Sequence, residues 1–204
     1  MDKPKPNYFT ISKPTEEILI KIKKSKFLSY AYPIQSEEQC KRLLAILREE
    51  HKNANHVCYA YRLKQNEKHK YSDDGEPKNT AGLPIYGQLL SKELQNTLIA
   101  VVRYFGGVKL GSGGLIQAYK QSASTALENT QIIPFIEFCN AEVQCQIKDY
   151  DRVFHIISAF KAKILEKEMA QICQLKVQIQ ENEFEVLKKN LDQLYPTKTI
   201  LLSN

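Results

Sequence analysis

The chain has 204 residues, 43% of them apolar and 25% charged, a balance that supports a packed core and excludes a disordered or collagen-like chain. No apolar run approaches the ~20 residues of a membrane-spanning helix. The segment after Met1 has no signal-type apolar stretch, so a cytoplasmic protein without a membrane partner is expected. The net charge of +6 is uneven. Residues 1–134 hold 20 Lys and Arg against 13 Asp and Glu, and residues 135–204 hold 9 against 10, so an anionic partner is expected for the first part. The five cysteines (Cys40, Cys58, Cys139, Cys145, Cys173) form no Cys-x-x-Cys pair. That argues against a disulfide framework or zinc ribbon and for buried thiols.

In chain order, residues 1–15 hold three prolines and no periodicity and read as a loose arm. Ile18, Ile20 and Ile22 alternate with polar neighbours as a half-buried strand. Lys26 to Ile34 reads as the next strand, ending near Pro33. Ser36-Glu-Glu-Gln39 has the form of a capping box opening a helix to about His51. His56–Leu63 is a further strand. Lys64–Thr80 is polar and broken by Asp73-Asp74-Gly75-Glu76-Pro77, a long loop of the kind that is usually functional. Pro84 suits the first turn of a short helix. Leu98–Tyr104 reads as an apolar strand, and 115–128 as a helix.

Pro134 marks a boundary, dividing the chain into domains 1–134 and 135–204. Beyond it lie a strand at Glu137–Ile147, a helix that Asp149 can cap, a strand pair at Ile164–Met169 and Ile172–Ile179, a helical face on Phe184, Leu187, Leu191 and Leu194, and a last strand at Thr199–Leu202. This βαββαβ order is that of a ferredoxin-like unit.

All eight glycines lie between Gly75 and Gly114, and five of them fall in Gly106-Gly107-Val-Lys-Leu-Gly111-Ser112-Gly113-Gly114. Glycine is kept where φ is positive or another group approaches closely. A glycine-rich turn entering a helix offers unpaired N–H groups and the positive end of the helix dipole to an anion. Known nucleotide motifs fail on the residues that carry their chemistry. Gly106 and Gly111 have P-loop spacing, but Ser112 stands where lysine is required, and Ile116 replaces the third glycine of a dinucleotide fingerprint. Leu110 breaks a G-x-S-x-G elbow around Ser112. His51, His56 and Cys58 have no metal-ligand spacing. No catalytic residue, metal or cofactor is therefore expected.

The segment Arg103-Tyr-Phe-Gly-Gly-Val-Lys-Leu-Gly-Ser-Gly-Gly-Leu-Ile-Gln-Ala-Tyr119 resembles the hallmark of the YigZ/IMPACT family. Lys24-Ser-Lys-Phe27, Asn53-Ala-Asn-His-Val-Cys58, Asp73-Asp-Gly-Glu-Pro77 and Thr80-Ala-Gly-Leu-Pro84 agree with it in order. The resemblance implies an α+β protein. Its first part would be a two-layer α/β domain resembling domain IV of elongation factor G, and its second a small ferredoxin-like domain resembling domain V. A ribosome- or RNA-facing role follows by analogy, and eukaryotic relatives act in translation control. The chain shows no counterpart of the extra N-terminal domain of those relatives, so their kinase pathway is not carried over.

The leading expectation is a non-catalytic regulator of translation or stress response that binds RNA or the ribosome. Lys24, Lys26, Arg103 and Lys109 would meet phosphates beside Gly106, Gly107, Gly111, Ser112, Gly113 and Gly114, with Tyr104 and Phe105 as stacking candidates. His56, Asp73, Asp74, Glu76 and Thr80 would support the loop. Two alternatives stand beside it. One is a protein-interaction module, including a protein partner in translation control. The other is an enzyme on a phosphorylated substrate using Asp73, Asp74 or Glu76 as metal ligand or base.

Overall fold

The computed structural model describes residues 6–64, 67–194 and 197–202. The chain divides into two compact units, one spanning Tyr8–Pro134 and the other joining Pro6 and Asn7, expected in the first domain, to the residues from Phe135 onward.

The first unit is built on a five-stranded antiparallel sheet of order β2-β3-β6-β4-β5. Its strands are β2 (Ile18–Ile22), β3 (Ser25–Pro33), β4 (His56–Arg62), β5 (His69–Ser72) and β6 (Thr97–Tyr104). Central strand β6 carries the unbroken apolar run Leu98–Val102, buried on both faces, and such a strand needs cover on both sides. Helices α2 (Gly82–Ser91) and α3 (Gly111–Glu128) supply it on one face, packing on Phe27, Ala31, Cys58, Ala60, Ile99 and Val101. Helix α1 (Glu37–Glu50) covers the other, with Leu47 against Leu28, Val57, Ala100 and Val102. This unit thus carries a third layer beyond the two expected.

Local signals explain most of the boundaries. The Ser36 hydroxyl accepts from Gln39 N–H at 3.2 Å and starts α1, while the Gln39 amide oxygen takes the Gln35 N–H at 2.9 Å. Two segments read as irregular are strands. Residues 8–11 form β1 (Tyr8–Ile11), paired with β7 (Ile132–Phe135), because Ile11 enters the core. The polar loop contains β5, held on β4 and by stacking of His69 and Tyr71 on Tyr86. Gln65 and Asn66 of that loop lie outside the described residues.

The second unit has β8 (Phe138–Cys145), α4 (Tyr150–Ala159), β9 (Lys163–Met169), β10 (Cys173–Gln180), α5 (Phe184–Asp192) and β11 (Lys198–Leu202). Its antiparallel strand order is β11-β8-β10-β9, the split βαβ arrangement. Strict alternation in β8 and β10 turns Ala141, Val143, Leu175 and Val177 into one core with Val153, Ile157, Leu187 and Leu191 of the helices. Asp149 makes no side-chain cap. It closes a 3-10 turn at Ile147–Asp149 that leads into α4. All five cysteines are free and buried.

Candidate anion-binding loop and its buried support

The glycine run is shared between a loop and a helix. Phe105–Leu110 connect β6 to α3, and Gly111, Ser112, Gly113 and Gly114 form the first turn of α3, four residues earlier than the apolar pattern indicates. Leu110 occupies the N-cap position and no side chain caps the helix. Its first N–H groups, which have no acceptor within the helix, lie on a turn where Gly111, Ser112 and Gly113 are exposed. Gly107 and Gly111 take φ of 81° and 73°. Gly106 meets the other requirement for glycine, close approach: a Cβ there would collide with the carbonyl group of Lys24. The β2–β3 hairpin therefore abuts the loop at this point, and Ser25 Oγ accepts the Gly106 N–H at 3.2 Å.

Lys24, Lys26 and Lys109 are exposed. Arg103, expected on phosphate, is not at the surface. Its side chain is 5% exposed, and Nη1 lies 2.5 Å from Glu76 Oε1, itself 4% exposed. Nη2 reaches Ser25 Oγ at 3.4 Å, and the guanidinium lies 5.4 Å from the Phe27 ring and 5.6 Å from that of Phe105. A charge withdrawn this far from water needs its partner, so Arg103 serves as a strut beneath the loop. Tyr119 of α3 donates to the same Glu76 oxygen at 2.8 Å and meets the Phe27 ring edge-on at 5.3 Å. Burial drives the Tyr119 hydroxyl well above the usual phenol range, with Cys58 and Glu76 adding to it. It drives the Cys58 thiol up as well.

The aromatic pair divides. Phe105 is 45% exposed, with its N–H donated to Asn55 Oδ1 at 2.7 Å. The half-buried Tyr104 instead packs on the α1 side, where its hydroxyl lies 2.9 Å from His51 Nδ1. On the far side of His51, Nε2 lies 2.8 Å from the Tyr30 hydroxyl, which donates to Glu17 at 2.6 Å. Since Tyr30 gives its only proton to Glu17, His51 Nε2 is the donor to the Tyr30 hydroxyl.

The acidic turn is spent on structure. Asp73 Oδ1 accepts from the N–H groups of Ala81 (3.0 Å) and Gly82 (2.8 Å), and Oδ2 from Asn79 N–H at 2.8 Å, so it holds the entry to α2. Asp74 accepts from Val57 N–H at 2.6 Å and pairs with Arg48 at 2.5 Å. His56 donates through Nδ1 to the Asp74 carbonyl at 2.8 Å, leaving Nε2 3.8 Å from Glu76. Thr80 donates to the Pro77 carbonyl at 2.6 Å. These bonds tie His56, Asp73, Asp74 and Thr80 into the fold around the turn. Among the described residues no group of three or more His, Cys, Asp or Glu side chains could hold a metal.

Sequence reasoning assigned no role to Ser25, Asn55 or Tyr119. Each is a hydrogen-bonding side chain inside a segment that carries the family resemblance, which is the available signal for a structural hydrogen-bond partner.

The Impact N-terminal domain family matches residues 23–127. IMPACT family member YvyE of Bacillus subtilis is 38% identical over 128 residues, 62% of this chain and 58% of that protein. An IMPACT family member of Thermus thermophilus is 37% identical over 151 residues, 74% of this chain and 80% of that protein. IMPACT family member YigZ of Escherichia coli is 29% identical over 163 residues, 78% of this chain and 80% of that protein. A solved structure described as a hypothetical protein shares the fold at TM-score 0.65 and 24% identity, covering 98% of this chain and all of the other. Among the described residues no helix is long and apolar enough to cross a membrane.

Proposed function

The chain belongs to the IMPACT family, and from that premise we propose that it is a non-catalytic regulator of translation that binds RNA or the ribosome through the surface of residues 105–114. The observation that carries this reading is the uncapped N-terminus of the 18-residue α3, preceded by exposed Lys109 and joined by a loop whose Gly106 abuts exposed Lys24. Exposed N–H groups and ammonium groups together suit phosphate oxygens. Phe105 supplies a ring at the edge of the loop for a base to stack on. The Arg103–Glu76–Tyr119 network holds the loop in shape before any ligand arrives.

A second reading has its own observation. Phe105, Val108 and Ile116 expose apolar side chains around the same loop, which suits a protein partner in translation control. Co-sedimentation with ribosomes, separated subunits and free RNA over a salt series tests the first reading. Salt-sensitive binding supports it. Absence of binding to every nucleic-acid particle at low salt overturns it and leaves the protein partner.

A further inference from the structure

Ile22 pairs with Ser25, so β2 and β3 are joined by a two-residue turn with Lys23 and Lys24 at its tip. Both residues take positive φ, 43° and 68°. Hairpin turns with two such residues favour Asn-Gly or Asp-Gly, because the Cβ of other residues crowds the backbone in the left-handed region. The chain obeys that rule elsewhere. Across Asp74 (φ 45°) and Gly75 (φ 86°), Glu76 N–H donates to the Asp73 carbonyl at 2.9 Å. Among the described residues, Lys23-Lys24 is the only pair of consecutive non-glycine residues with positive φ.

Nothing inside the fold uses the two ammonium groups. Both lysines are exposed, and neither has an ion-pair partner among the described residues. Yet the tip is fixed in place: the Lys24 carbonyl abuts Gly106, and Ser25 holds the Gly106 N–H. Two unpaired positive charges thus sit on a strained turn that is locked to the start of the glycine loop. Strain kept at an exposed position points to a use outside the fold.

We propose that the Lys23-Lys24 turn is a second phosphate-gripping prong, engaging the backbone of an RNA whose neighbouring phosphates lie on the glycine loop. The inference rests on the RNA reading of that loop. It also assigns the grip to charge alone, without base readout.

The decisive variant is Lys23→Asn/Lys24→Gly, which gives the turn its preferred residues. It is expected to melt at a higher temperature than the parent, so lost binding cannot be ascribed to unfolding. With a single-stranded RNA oligonucleotide as probe, removing two phosphate contacts lowers the slope of log K against log salt by about 1.4. The affinity gap between parent and variant then closes by about sevenfold between 50 mM and 200 mM salt. Lys23→Arg/Lys24→Arg keeps the parent slope. An unchanged slope in the Asn-Gly variant, with Lys109→Ala still weakening binding, overturns the prong and leaves the loop reading standing. A variant no more stable than the parent removes the strain argument and overturns it too. No binding of RNA by the parent protein at 50 mM salt overturns both readings.

Discussion

Glu76→Gln isolates the support beneath the loop. The substitution preserves shape and leaves an acceptor for the Tyr119 hydroxyl, but it removes the countercharge of Arg103. The two side chains of the pair retain only 5% and 4% exposure, so the guanidinium cannot recover its hydration where it lies. Breaking such a pair by removing one partner costs about 3–5 kcal/mol. For a unit of this length that corresponds to a fall in melting temperature of roughly 10–20 °C. Thermal unfolding followed by circular dichroism reads it directly. The triple variant Glu76→Leu/Arg103→Met/Tyr119→Phe removes the charges and the orphaned hydroxyl together and is expected to recover most of the loss, because no uncompensated polar group remains. A Glu76→Gln protein melting within ~3 °C of the parent would refute the assignment of Arg103 as a strut, because a buried guanidinium without its countercharge costs several times that much.

The remaining predictions concern the glycines and pH. Gly106→Ala forces a Cβ into the Lys24 backbone and is expected to cost at least ~1–3 kcal/mol, read as a lower urea midpoint. Gly113 has open space around it within α3, so Gly113→Ala stabilises the helix by ~0.5–1 kcal/mol. The same substitution weakens RNA binding if the ligand approaches the helix N-terminus closely, and unchanged affinity would count against that approach. Burial pushes the Cys40 and Cys145 thiols up to about 12 and about 11. Thiols in the unfolded chain lose their protons near ~8.5, so the folded form binds more protons above that pH. Stability is therefore full below pH ~8.5 and is lost as pH rises through the folded-state values. Urea midpoints measured from pH 8 to pH 11 should fall, and Cys40→Ala should flatten the fall.

Much of this architecture is legible in the residues. Alternation in β2, β8 and β10, the Ser36 cap and the apolar face of α5 each report a local contact, and local contacts leave a periodic signal. The run Leu98–Val102 leaves neither face of β6 for water, so a third layer was legible in principle although only two were expected. Strands β1 and β5 were not. Residues 8–11 are strand because β7, more than a hundred residues away, pairs with them, and His69–Ser72 because β4 and Tyr86 hold them. The candidate site divides in the same way. Clustered glycines mark where the backbone is crowded or exposed, and Gly106 against Lys24 is such a place. The identity of Arg103 as a charge could be read from the chain, but its burial could not, because its partner Glu76 comes from a distant turn. The same holds for Asp73, a turn residue by composition that proves to hold the start of α2.

Whether the loop is a polyanion-binding surface is decided by the salt dependence of RNA binding by the parent protein and by Lys109→Ala, with melting curves showing both folded. Binding is expected to weaken steeply with salt, with a slope lower by about 0.7 in the variant for a single-stranded RNA. Equal slopes for the two proteins, or no binding at 50 mM salt, would contradict it.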